Sequence, residues 1–268
     1  MMPSPLHLIL ALAGEFNSTG EFTGETVAEL NITLERIDGR ATDYHVQVWC
    51  EGNKLRARES GSQHLPSFCP ERHINPGGSF CLYWEGGEQF DVVDEISARA
   101  WMETLIQFLR LQERAAKIRR WPSLKSWAHG SAAKYQLQAM QAATALGKSF
   151  FAKLEEGSLS IKIWLSRGRN AESIVEVQQD GVHLFSIWQS RRMVVNRRKK
   201  CFCGMSDSRQ PKRIGRCKNH HAAALALAEA LIRWGEADRQ FWEELQGSKC
   251  CGTCDECPLA RQLDTLII

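Results

Sequence analysis

The 268-residue sequence predicts an α+β protein: an antiparallel meander packed on helices over residues 1–147, then a small α+β cysteine-rich region over 148–268. Three observations carry this expectation. Apolar residues alternate with polar ones in short runs near the start. Segments with helical periodicity follow, bounded by capping residues. The ten cysteines are split, with Cys50, Cys69 and Cys81 in the first third and seven from Cys201 to Cys257. At 43% hydrophobic and 24% charged residues with a net charge of +3, the composition excludes wholesale disorder. The apolar run Leu6 to Ala13 is far below the ~18 residues a bilayer span needs. It also lacks a basic leader and a small-residue cleavage site, so no signal peptide and no membrane partner are expected. The expected compartment is a cytoplasm that keeps thiols reduced. Ten cysteines must then act as ligands, nucleophiles or packing groups.

Leu6 to Ala13, Ala28 to Ile37 and Tyr44 to Cys50 read as strands. In the third, Tyr44, Val46, Val48 and Cys50 alternate with His45, Gln47 and Trp49, the pattern of a sheet with one wetter face. Asp38-Gly39 and Glu51-Gly52-Asn53 supply turns between runs. Prolines and glycines from His64 to Gly87 exclude a continuous helix or long strand and predict an ordered loop. A helix then starts at an Asp94 cap and runs through Ala98, Trp101, Leu105, Phe108, Leu111, Ala115 and Ile118. Lys117, Arg119 and Arg120 suit the negative end of its dipole, and Pro122 stops it. A second helix is expected over Ser131 to Leu146, strands between Ser158 and Val195, and an alanine-rich helix from His221 to Gln246.

The loop reads Leu65-Pro66-Ser67-Phe68-Cys69-Pro70-Glu71-Arg72-His73-Ile74-Asn75-Pro76-Gly77-Gly78-Ser79-Phe80-Cys81-Leu82. Thiol acyl transfer needs an accessible sulfur and a donor for the developing oxyanion. A thiol with the ordinary pKa of about 8.5 suffices when the electrophile is already an activated thioester. Asn75 offers an amide donor close to Cys81 in sequence, and His73 can order the loop through either ring nitrogen. Two other readings of the residues stand beside this one. Phe80-Cys81-Leu82 also fits a buried strand in which cysteine packs as a small hydrophobe. Cys69, His73 and Cys81, with Cys50, have the donor types of a zinc site, although they lack a paired Cys-x2-Cys spacing.

His73-Ile74-Asn75 followed by Gly78-Ser79-Phe80-Cys81-Leu82 resembles the active-site segment of ubiquitin-conjugating enzymes, where a His-Pro-Asn tripeptide precedes the catalytic cysteine. The nearer similarity is to divergent bacterial members that accompany ubiquitin-like and adenylating proteins in defence-type gene clusters. Ile74 stands where the family has proline, the Asn75-to-Cys81 spacing is two residues shorter than the commonest pattern, and the family's long N-terminal helix has no evident counterpart. The resemblance covers residues 5 to 145. It implies a ubiquitin-conjugating fold over residues 1–147, with Cys81 holding the thioester, Asn75 supporting the oxyanion and His73 structural. Its implied partners are a ubiquitin-like protein and an adenylating enzyme.

In the last third, Cys201-Phe202-Cys203-Gly204 precedes Cys217, His220 and His221. Either histidine lies one helical turn from Cys217 and can join the cysteines in a tetrahedral zinc shell. The pattern is similar to the small Cys-x-Cys-Gly zinc motif at the end of bacterial secretion ATPases. Cys250, Cys251, Cys254 and Cys257 form a second group. It lacks the fourth cysteine of an iron–sulfur run, because Arg261 occupies that place. Zinc, as one or two ions, is therefore the expected cofactor. Residues 191–218 hold eleven Lys or Arg against Asp207 alone. That excess suits a solvated face around anionic metal–thiolate centres, and a nucleic-acid surface is the alternative. A non-catalytic, zinc-stabilised scaffold that keeps the fold without the chemistry is the rival to an active conjugating enzyme.

Overall fold

The computed structural model describes all residues except 1–2, 36–38, 62–63, 85–89, 123–126, 167–170, 203–212 and 262–268. The chain forms two units. One comprises residues 1–123 together with 245–268, and the other residues 124–244.

In the first unit, α1 (Pro5–Leu12) leads into a meander of β1 (Ser18–Gly24), β2 (Val27–Glu35), β3 (Ala41–Glu51) and β4 (Lys54–Glu59). The strands are antiparallel and neighbour one another in chain order. Alternation decides which face is buried. Ala28, Leu30, Ile32 and Leu34 of β2 point inward, as do Thr42, Tyr44, Val46 and Val48 of β3. The run expected to begin the sheet as a strand, Leu6 to Ala13, is instead mostly helical. Ser4 caps it by accepting from the His7 N–H, Pro5 fills the first turn, and Leu6, Ile9 and Leu12 bury one stripe. Gly20 of β1 lets this helix lie close, since a Cβ there would fall 2.6 Å from the side chains of Leu10 and Leu30. The long helix α2 (Glu95–Ile118) starts as expected at Asp94, whose carboxylate accepts from the Ser97 N–H at 2.8 Å while the Ser97 hydroxyl accepts from the Asp94 N–H. It buries Ala98, Trp101, Met102, Leu105, Phe108 and Leu109, and also the polar Gln112. Arg119 ends it in the left-handed region at φ 54°.

The second unit holds α3 (Ala132–Leu146), α4 (Lys148–Glu155), the antiparallel strands β5 (Leu159–Leu165), β6 (Ser173–Gln179), β7 (Val182–Trp188) and β8 (Met193–Val194), and α5 (Lys218–Glu244). Ala139, Ala142 and Ala143 of α3 and Ala223, Ala224 and Ala228 of α5 share its core with Phe150, Val175, Val177, Phe185 and Ile187. Small side chains on both helices permit close approach. This packing places α3 with the second unit, so the division falls after Ser123 rather than after Gly147, where the sequence suggested it. The segment after α5 departs too: residues 245–268, including the short α6 (Pro258–Arg261), belong by their contacts to the first unit. Among the described residues no helix is long and apolar enough to cross a membrane.

Candidate active-site hairpin and thiolate clusters

The loop after β4 folds into a small hairpin that carries the sequence motif. Asn75 donates its backbone N–H to the Ser79 carbonyl at 2.8 Å, Ile74 bridges Phe80, and the Cys81 N–H reaches the His73 carbonyl at 2.8 Å. Pro76 and Gly77 make the turn, with Gly77 at φ 81° and ψ 9°, the geometry of a type II corner that favours glycine. The hairpin is fixed to β4 by the Phe80 N–H bond to the Ala57 carbonyl at 2.8 Å.

Pairing in this register sorts the side chains. Ile74 and Phe80 are paired and almost wholly buried, with the Phe80 ring 4.8 Å from that of Phe108 on α2. Asn75, Ser79 and Cys81 therefore belong to the opposite face. Asn75 is exposed and Cys81 half-buried. The Asn75 side-chain amide donates to the Ser79 hydroxyl at 3.3 Å, which confirms their shared face. Cys81 lies diagonally across the hairpin from Asn75, a relation that places side chains about 7–8 Å apart at their bases. The Cys81 Sγ also lies 4.0 Å from the Tyr83 carbonyl oxygen. His73 is buried, adopts the left-handed region at φ 55°, and packs its ring 5.0 Å from that of Trp121.

Just upstream, Cys69 closes a tight loop by exchanging both backbone bonds with Ile74 at 3.0 Å. Its side chain does not join His73 and Cys81, nor Cys50, which sits near the end of β3, where burial raises its pKa. Cys69 meets the chain's last segment instead. Its Sγ lies 3.0 Å from that of Cys251, and Cys254 is a second thiol partner. The proton belongs on Cys69, whose pKa is driven far up by its two thiol partners and by burial. Cys251 is held down at about 5 by the Cys69 hydrogen bond, with help from Thr253 and the nearby Arg72 charge. Cys254 is lowered chiefly by its bond to Cys69. Beside them, Cys250 accepts from the Gly252 N–H at 3.4 Å. Burial pushes the Cys257 thiol up to about 12, and the Ala260 N–H donates to the Cys257 carbonyl at 2.9 Å.

Arg72 is the surprise of this region, a guanidinium only 2% exposed. Its Nε donates to Gln112 Oε1 at 2.8 Å, Nη2 to the Gln112 carbonyl at 3.0 Å and Nη1 to Thr253 Oγ1 at 3.1 Å. All three acceptors are neutral. Buried charge is costly without compensation, and the Arg72 charge acts to lower the pKa of Cys251 and of Cys254. A second arginine anchors the same segment: Arg119 donates to Asp255 Oδ1 at 2.6 Å and to the Gly252 carbonyl at 3.0 Å.

The second unit holds a separate cluster. His220 Nδ1 lies 3.3 Å from both Cys201 Sγ and Cys217 Sγ, and the three donor atoms all lie within 4.8 Å of one another. Bond lengths of about 2.3 Å for Zn–S and 2.0–2.1 Å for Zn–N in a tetrahedron call for S···N separations of about 3.6 Å. These groups are close to that spacing. Phe202 anchors the turn by packing 4.8 Å from Phe150 and 5.7 Å from Phe185, while Cys217 precedes α5 and places His220 in its first turn. His221 is not in the cluster; its Nδ1 is buried without a hydrogen-bond partner among the described residues. Cys203 lies outside the described residues. Within the basic segment, Arg191 and Arg192 are committed to ion pairs with Glu172 and Glu229.

A family model described as a prokaryotic E2 domain matches residues 17–123, and one described as a cysteine-rich domain C-terminal to the E2 domain matches residues 128–259. No curated protein and no solved structure gives a significant match. The matched segments adjoin near the structural division, and the hairpin with its Asn75 and Cys81 lies inside the first of them. The chain is thus a prokaryotic E2-domain protein that carries the cysteine-rich domain found C-terminal to such domains.

Proposed function

We propose that this chain conjugates a ubiquitin-like protein through a thioester on Cys81, within a bacterial defence-type system. The observation that carries the reading is the hairpin face in an E2 domain on which an exposed Asn75 and a half-buried Cys81 sit diagonally, away from the core. The Cys81 thiolate attacks the thioester carbonyl presented by an adenylating enzyme, and the carrier's sulfur leaves as thiolate. An acceptor amine then attacks the same carbonyl, Cys81 leaves, and the amine proton passes to solvent. In both steps the Asn75 amide turns from Ser79 towards the oxyanion. His73 holds the hairpin's first arm.

Zinc is the proposed metal of the cysteine-rich part. Two sulfurs and an imidazole at Cys201, Cys217 and His220 suit it, with Cys203 as fourth donor, and Cys250, Cys251, Cys254 and Cys257 are the second donor group. Fully protein-ligated, such ions fix structure rather than activate water.

The test is a charging reaction with ATP, an adenylating enzyme and a ubiquitin-like protein of the bacterial defence type. A thiol-sensitive adduct is expected, replaced in Cys81→Ser by a thiol-resistant ester. An adduct that persists in Cys81→Ala, or none with the wild type, removes the catalytic reading and leaves the scaffold.

A further inference from the structure

We infer that the second metal centre is not confined to the C-terminal segment: Cys69, from the loop that leads into the active-site hairpin, is one of its ligands together with Cys251 and Cys254. This rests on the reading of the C-terminal cysteines as metal-binding and goes beyond it by taking a donor from 182 residues away.

The geometry carries the assignment. Cys69 Sγ lies 3.0 Å from Cys251 Sγ, and Cys254 follows Cys251 in a Cys-x2-Cys pair. Cys69 and Cys254 are 1% and 3% exposed, and Cys251 is half-buried. Cys251 and Cys254 have the Cys-x2-Cys spacing that wraps a chain around one ion. The Gly252 N–H donates to the Cys250 sulfur at 3.4 Å. Such donors favour thiolates over thiols.

Arg72 supplies the second, independent observation. A zinc ion with four thiolates carries two net negative charges, and a buried guanidinium bonded only to neutral acceptors is the counter-charge such a centre requires. Cys250 and Cys257 are the two thiols available for the fourth position. The consequence is mechanical. Cys69 exchanges backbone bonds with Ile74, which pairs with Phe80, beside the His73–Cys81 bond. A metal that holds Cys69 thus holds the hairpin's root to the far end of the chain.

Zinc content of the full-length protein purified without chelator tests this, with sulfur counts from X-ray absorption. Two ions per chain are expected. Cys69→Ala and Cys251→Ala should each lose one ion and keep the other, which Cys217→Ala should lose instead. Retention of both ions by Cys69→Ala while Cys251→Ala loses one would overturn the Cys69 assignment and leave a site confined to the C-terminal segment. A wild type whose only ion is lost in Cys217→Ala would remove the second site altogether. Thiol alkylation of the unmutated protein, mapped by mass spectrometry, guards against a variant that fails to fold. Chelation should expose Cys69 in step with Cys251 and Cys254, whereas protection of Cys69 that survives chelation, or a Cys69–Cys251 disulfide, would refute the assignment.

Discussion

Arg72→Met removes the buried guanidinium while keeping the volume of its stem. Three donor contacts vanish, and Gln112, itself 0% exposed, is left with its side-chain and backbone oxygens facing an apolar group. Each stranded buried acceptor costs about 1–3 kcal/mol. Some of this is offset because the guanidinium no longer has to be desolvated. The expected net loss is about 3–4 kcal/mol, on the order of a 100- to 1,000-fold rise in local opening at about 1.4 kcal/mol per decade. Hydrogen exchange of α2 amides around Gln112 measures it, with α5 amides as the internal control. Arg72→Lys should not rescue, because an ammonium cannot reach Gln112 Oε1, the Gln112 carbonyl and Thr253 at once. Pairing Arg72→Met with Gln112→Leu should recover about 1–3 kcal/mol of coupling, since contacting network partners are not additive. A loss below about 1 kcal/mol, together with zero coupling, would show that the bonds are incidental and that the charge is solvated rather than buried.

Other outcomes follow from the two units. His129 is stacked on Phe241 at 4.9 Å with Trp242 edge-on, and burial lowers its pKa to about 4. Unfolded histidine titrates near 6.5, so only the unfolded state takes up this proton between about pH 6.5 and 4. Stability should therefore be full above pH 6.5 and fall by about 3 kcal/mol towards pH 4. Urea unfolding of the second unit across that range should show this loss in the wild type and less of it in His129→Phe; an unchanged pH slope would exonerate the histidine. Asn75→Ala should slow both formation of the Cys81 thioester and its discharge to an amine by about 100- to 1,000-fold, read in single-turnover assays, and unchanged rates in both would exclude an oxyanion role. His220→Ala should release zinc from the Cys201–Cys217 cluster, whereas His221→Ala should retain it; metal analysis that finds the reverse would move the ligand by one residue.

Local pattern explains what could be read from the sequence. The meander's centre was visible in Ala28, Leu30, Ile32 and Leu34, and α2 in Asp94 and its periodic apolar face. β1, Ser18–Gly24, was not, because as an exposed edge strand it buries only Ser18 and shows no alternation. α1 was misread since an eight-residue apolar run fits strand and helix equally, and only the Ser4-Pro5 start decides. α4 buries Phe150 alone, too little for a period to show. In the site, the His73-to-Cys81 motif is local and was legible, but its hairpin register was not. Cys69 was illegible for a different reason: its partner is 182 residues away, and spacing carries no information about such contacts. Arg72 and Gln112 were missed because polar residues of these kinds are ordinarily exposed.

The missed residues are the ones that explain how the hairpin stands. Its arms are only three residues long, and an isolated two-stranded hairpin is at best marginal in water. Apolar burial can serve just one face, through Ile74 and Phe80, since the other must present Asn75 and Cys81 to a reactant. Enlarging the apolar contact would therefore cover the sulfur that has to be reached. What remains is to brace the hairpin from its root, and the fold does so with polar and thiol groups whose partners lie far away in sequence. His73 packs on Trp121, Arg72 binds α2 through Gln112 and the C-terminal segment through Thr253, and Cys69 meets Cys251. Each brace lies upstream of Asn75, so the root is fixed while the Pro76–Gly78 turn keeps its solvent face. A shortened chain lacking the segment after α5 would keep Ile74 and Phe80 in the core and Arg72 on Gln112, but lose the Cys69–Cys251 brace and the Thr253 contact of Arg72. Its hairpin should then exchange amide hydrogens faster at Ile74 and Cys81 while β2 and β3 remain protected, and equal protection with and without that segment would mean the sheet alone positions the cysteine.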